Sequence, residues 1–88
     1  MRFRIAHTFM DGSLCKYKGA YLYIEEDTYT IKFGFKVLNQ FNVINTKVTR
    51  IPNYLFVFRG ISISDGSKTF NLYFTDNVAD KVYSFFKI

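Results

Sequence analysis

Cys15 and His7 are the only thiol and the only imidazole in the sequence, and a thiolate–imidazole pair is the one nucleophilic arrangement they could make. Spacing supplies no third group to orient the histidine. The plainer reading is a partly buried thiol and an ordinary strand histidine. A zinc site draws on several Cys or His side chains, and two do not suffice. Glu25, Glu26 and Asp27 stand together, but in a turn, where a solvated loop explains them. With no glycine-rich phosphate loop and no acid–base constellation, the expectation is a non-catalytic chain with no metal and no cofactor.

Binding is the chemistry left to consider, and the charges are unevenly spread. The net charge is +5. Residues 1–18 hold Arg2, Arg4, Lys16 and Lys18 against Asp11, and the next nine hold Glu25, Glu26 and Asp27 with no base. From Thr28 to Ser64 come Lys32, Lys36, Lys47, Arg50 and Arg59 with no acid at all, and after Ser64 three Lys balance three Asp. A positive surface attracts phosphates, anionic lipid heads or acidic proteins, although solubility alone accounts for the same charge. Lys16, Lys18, Lys32 and Lys36 form the candidate patch for an anion or a lipid.

Aromatic residues make up 20% of the chain, with eleven Phe and seven Tyr, and 49% of the residues are hydrophobic. That composition suits a single folded domain over residues 1–88 and argues against a disordered tail. The lone cysteine forbids an internal disulfide and points to a reducing, cytoplasmic setting. No run approaches the ~20 apolar residues of a membrane-spanning helix, and no signal peptide is expected from the first residues.

The elements that position these groups read mainly as strands, because the hydrophobic period is two. Thr28 to Val37 is the clearest, with Tyr29, Ile31, Phe33, Phe35 and Val37 on one face. Ala20 to Glu25 precedes it, and a turn at Glu26-Asp27 sets Ile24 opposite Tyr29 and Leu22 opposite Ile31. Tyr21 and Tyr23 then emerge on the outer face beside Thr30 and Lys32. Asp65-Gly66 reads as a two-residue type I′ turn joining Tyr54–Ser64 to Lys68–Phe74. Its register aligns Ile61, Val57 and Leu55 with Phe70, Leu72 and Phe74, and it also points Arg59 inward opposite Leu72. A lone buried guanidinium is expensive. We therefore read a bulge at Gly60 that puts Phe56 and Phe58 inside and Arg59 outside. Without the bulge, Tyr54, Phe56, Phe58 and Tyr73 stay outside as an aromatic patch large enough to be an interface.

Arg2 to Met10 reads as a strand ending at Asp11-Gly12, with a further short one from Leu14 to Tyr17. Gln40 to Asn45 reads as a strand and Ile51-Pro52-Asn53 as a turn. From Thr75 or Asp76 the period changes, and Val78, Ala79, Val82, Phe85 and Phe86 share one face of a helix over about 76–87. The fold class is mainly β (α+β): a curved antiparallel sheet or partly open barrel of six to seven strands, capped by one C-terminal helix.

Three segments, GAYLYIEEDTYTIKF, NVINTKVTRI and DGSKTFNLYFTDNVADKVYSFF, together resemble the pleckstrin-homology superfold, in particular its GRAM-like and small bacterial PH-like members. The resemblance implies a barrel-like sheet closed by the terminal helix. It also implies a scaffold-like interaction module, one that binds a protein partner or forms a homo-oligomer, for which the aromatic surplus of the sequence offers Tyr21, Tyr23, Tyr54 and Tyr73 as candidate interface residues. The alternative is weak peripheral binding to anionic lipid headgroups at the membrane through the basic patch. Nucleic acid is not an expected partner, since no recognition motif accompanies the tyrosines.

Overall fold

Alternating apolar and polar residues build nine strands among the residues that the computed structural model describes, 1–15 and 19–88. They are β1 Arg2–Arg4, β2 His7–Met10, β3 Ser13–Leu14, β4 Tyr21–Ile24, β5 Thr28–Phe33, β6 Lys36–Asn42, β7 Lys47–Tyr54, β8 Phe58–Ser64 and β9 Thr69–Phe74, followed by helix α1 Asp76–Phe86. Two antiparallel sheets result, which we name A (order β1-β4-β5-β6) and B (order β3-β2-β9-β8-β7), and they do not close into a barrel. Their inner faces and the helix enclose Leu22, Ile31, Phe41, Ile61, Ile63, Phe70, Leu72, Phe74 and Val82.

The β4–β5 hairpin has the register that its hydrophobic pattern predicts: Ile24 faces Tyr29 and Leu22 faces Ile31. The strand expected from Thr28 to Val37, however, is two strands. Gly34, at φ +59°, turns the chain with Phe35 between Phe33 and Lys36. A positive φ at the first central residue alone is the signature of a type II′ hairpin turn. Ten extended residues would span about 33 Å, more than the longest dimension of the fold, 31 Å. Phe33, Phe35 and Val37 are consequently exposed rather than part of a core face. Arg2–Met10 is likewise divided at Ile5 and Ala6, where the chain passes from sheet A into sheet B. These divisions raise the strand number above the expected six or seven.

The turn after β8 is longer than the expected two residues. Asp65 accepts hydrogen bonds at Oδ1 from the backbone N–H groups of Ser67 (2.9 Å) and Lys68 (2.9 Å), so residues 65–68 all belong to it. Ile63 therefore faces Phe70, Ile61 faces Leu72 and Arg59 faces Phe74. A shift of two residues keeps every side chain on its face. The expected partners Val57 and Leu55 are instead in a turn with Phe56, beyond the end of β8, and Pro52 lies within edge strand β7 rather than in a turn.

Gly60 is not a bulge: the β8–β9 pairing runs without a shift through Arg59, Gly60 and Ile61. The irregularity is on β7, between Ile51 and Tyr54. Arg59 keeps its inward register at the rim, where the helix supplies two carboxylates, Asp76 (Nε–Oδ1 3.3 Å) and Asp80 (Nη1–Oδ1 2.7 Å). Charge pairing at the rim thus replaces the bulge as the answer to a costly guanidinium.

The helix starts from Thr75 in extended conformation and stops at Lys87, which adopts φ +58°. Ala79, Val82 and Tyr83 are its buried residues. Tyr83 donates a buried hydrogen bond of 3.1 Å to the Gly60 carbonyl, and the Arg50 guanidinium lies 4.1 Å from its ring centroid. Gln40–Asn45 is the end of β6 followed by a short 3-10 turn at Val43–Asn45. The expected Leu14–Tyr17 strand is Ser13–Leu14; Cys15 follows outside the strand, and Lys16 and Tyr17 lie outside the described residues.

Candidate interaction surfaces

An antiparallel sheet covered on one side commonly turns a polar face to water. The outer face of sheet B is polar only toward the end that carries Thr49, Ser62, Asn71, Lys47, Ser64 and Thr69. Odd residues of β2 and β9 and even residues of β8 point outward, which brings His7, Phe9, Phe58 and Tyr73 together, joined by Tyr54 from β7. Ring centroids are 4.7 Å apart for His7–Phe58, 5.2 Å for Phe9–Tyr54 and 5.1 Å for Tyr54–Tyr73. Gly60 makes this packing fit: a Cβ there would stand 2.6 Å from the Tyr73 ring and 2.8 Å from Ile51. Burial, with a smaller contribution from neighbouring Tyr54, pushes the Tyr73 phenol above its ordinary pKa. All five rings are half-buried.

At the end of this face the β7–β8 turn projects Leu55, Phe56 and Val57, which are 60%, 96% and 59% exposed. Leu55 (φ +51°) and Phe56 (φ +64°) occupy the left-handed region, a conformation that favours glycine or asparagine. Packing within the fold gives no reason for large apolar residues here.

The other two candidate tyrosines belong to the other sheet. Tyr21 and Tyr23 lie on the outer face of sheet A, with centroids 6.2 Å apart. The Arg2 guanidinium is 4.9 Å from the Tyr21 ring and the Lys32 ammonium 5.3 Å from the Tyr23 ring. The four tyrosines therefore make two pairs rather than one surface. Of the candidate basic patch, two lysines are among the described residues. Lys32 leans over Tyr23, whereas Lys36 lines a cleft of about 170 Å³ with Met10, Cys15, Val37, Leu38 and Phe70. Lys16 and Lys18 lie outside the described residues.

His7 and Phe9 were not among the sequence candidates for an interface, and Phe58 was one only if Gly60 made no bulge. Period-two spacing in His7 and Phe9 was the available signal, and the supposed bulge hid Phe58. Among the described residues, no three His, Cys, Asp or Glu side chains come together as a metal site would require. No described helix is long and apolar enough to cross a membrane. Comparison with family models, with curated proteins and with solved structures finds no match to this chain.

Proposed function

We propose that this chain is a non-catalytic interaction module, on a PH-like plan, that docks a protein surface against the outer face of sheet B. The observation that carries the reading is the Leu55-Phe56-Val57 turn: three large apolar residues in water, two in left-handed conformations, continuous with a cluster of five rings. Aromatic side chains supply interface area at little entropic cost, and a projecting apolar residue can anchor in a partner's pocket. Affinity capture from extract of the source cells tests it, comparing the native chain with a Phe56→Ser, Tyr54→Thr variant. Proteins retained by the first and lost by the second support the reading. Identical captures overturn it.

A second reading, weak binding to anionic membranes, has its own observation. Phe35 is fully exposed at the tip of the β5–β6 hairpin, whose strands carry Lys32 and Lys36, next to Phe33 and Val37. Apolar insertion beside cations would hold a peripheral cytoplasmic protein at a lipid surface, each cation adding on the order of 1 kcal/mol. Flotation with anionic and neutral vesicles tests it. Recruitment to anionic vesicles that salt removes supports it, and no recruitment at low salt counts against it.

A further inference from the structure

We infer that the outer face of sheet B docks a second copy of this chain, face to face, about a two-fold axis that runs along the strands. This deepens the interaction-module reading and rests on it. Although the molecule carries +5, the outward positions of β2, β9, β8 and β7 hold no charge between the aromatic cluster and the far row of the sheet. In that row Lys47 pairs with Ser64, Ser64 with Thr69, and Thr69 donates its N–H to Asp11 Oδ1 at 3.0 Å. Asp11 thus marks one side of the face and Lys47 the other. Both are exposed, three strand spacings or about 14 Å apart.

A two-fold axis along the strands exchanges the two sides of the face while keeping each row at its own height. Lys47 of each copy then lies over Asp11 of the other, and two ion pairs form. The same operation sets β2 and β9 of one copy over β7 and β8 of the other, so His7 and Tyr73 meet Ile51 and Gly60. Face-packed sheets in this arrangement keep their strands within about 30° of each other. An unrelated protein would have to supply the matching charges independently; a second copy has them by symmetry. The four strands that face one another, about 4.8 Å apart and about 13 to 26 Å long, offer roughly 400 Å² per copy, below the ~800 Å² of a standard interface. An interface this small belongs with weak, transient contacts, so the dimer is to be sought at protein concentrations from about micromolar to about millimolar.

Sedimentation velocity across that range, on the full chain, tests the arrangement. The native chain is expected to dimerise reversibly. Lys47→Glu sets like charges together twice and weakens the dimer at least about tenfold, as does Asp11→Lys. Mixing the two variants restores association, because the mixed dimer regains opposite charges at both places. Asp11 has φ +50°, so Asp11→Asn, which tolerates that conformation, serves as a second variant that removes the charge and keeps the turn. It weakens the dimer less than Asp11→Lys. A native chain that is monomeric throughout overturns the inference, and so does a dimer that Lys47→Glu leaves unchanged. Selective capture of other proteins by a monomeric native chain separates that failure from failure of the interaction reading.

Discussion

Gly60 and Asp65 show how single positions set this molecule's surfaces. Gly60 lacks the Cβ that would collide with Tyr73 and Ile51, so Gly60→Ala must push the tyrosine ring off the sheet. Overpacking of this kind destabilises by about 1–3 kcal/mol, measurable by urea denaturation. A change under a few tenths would mean that the ring moves freely and that the cluster is not rigid. Asp65 acts through its charge. The backbone N–H groups of Lys68 and then Ser67 hold its carboxyl below the ordinary value of 3.8. A carboxylate with a depressed folded pKa adds stability above its unfolded pKa and loses it as pH falls through the folded one. Asp65→Asn keeps an acceptor but cannot titrate. The variant's stability is expected to fall less steeply than the native protein's below about pH 4. Parallel acid limbs would refute that role.

At the scale of elements, α1 is fastened to sheet B by three unlike contacts. They are the Tyr83 hydroxyl on the Gly60 carbonyl, Arg50 over the Tyr83 ring, and Arg59 between Asp76 and Asp80. Tyr83→Phe removes one buried hydrogen bond, and a loss of about 1 kcal/mol is expected. Arg59→Ala loses pairs whose carboxylates are mostly exposed, so its global effect stays within about 1 kcal/mol. Hydrogen exchange in the first turn of the helix should nevertheless rise more in Arg59→Ala than in Tyr83→Phe. The reverse order would place the tether at the C-terminal half. These contacts also explain what could be read from the sequence. The β4–β5 register and the apolar stripe of the helix depend on neighbours in the chain, and both were legible. Whether Gly60 bulges depends on two aspartates beyond β9, which no local pattern connects to Arg59. Thr28–Val37 alternated without interruption through Gly34, so period alone could not mark the turn. Tyr73 was legible as an outward residue, and Tyr54 as one if Gly60 made no bulge, but their separation from Tyr21 and Tyr23 required knowing that the strands divide into two sheets.

Across the whole molecule, two sheets share one core and leave two outer faces of different character. Sheet A presents Tyr21 and Tyr23 with Arg2 and Lys32, whereas sheet B presents a cluster of five rings with an apolar turn at its end. A small core leaves little stability to spare, so large apolar residues outside it have to be explained by something other than folding. Phe56 separates the two demands. A non-glycine residue in the left-handed region costs about 1–2 kcal/mol, and this side chain is 96% exposed, so burial returns almost nothing. Phe56→Gly relieves the backbone but gains freedom in the unfolded chain, an opposing effect of about 0.4–1 kcal/mol. The variant should therefore match or exceed the native chain by up to about 1.6 kcal/mol in thermal and urea unfolding. Association through this face should weaken in the same protein, because the anchor is gone while the rings stay in place. Loss of both properties together would mean that Phe56 supports the fold after all. Unchanged stability with unchanged association would move the docking surface away from sheet B.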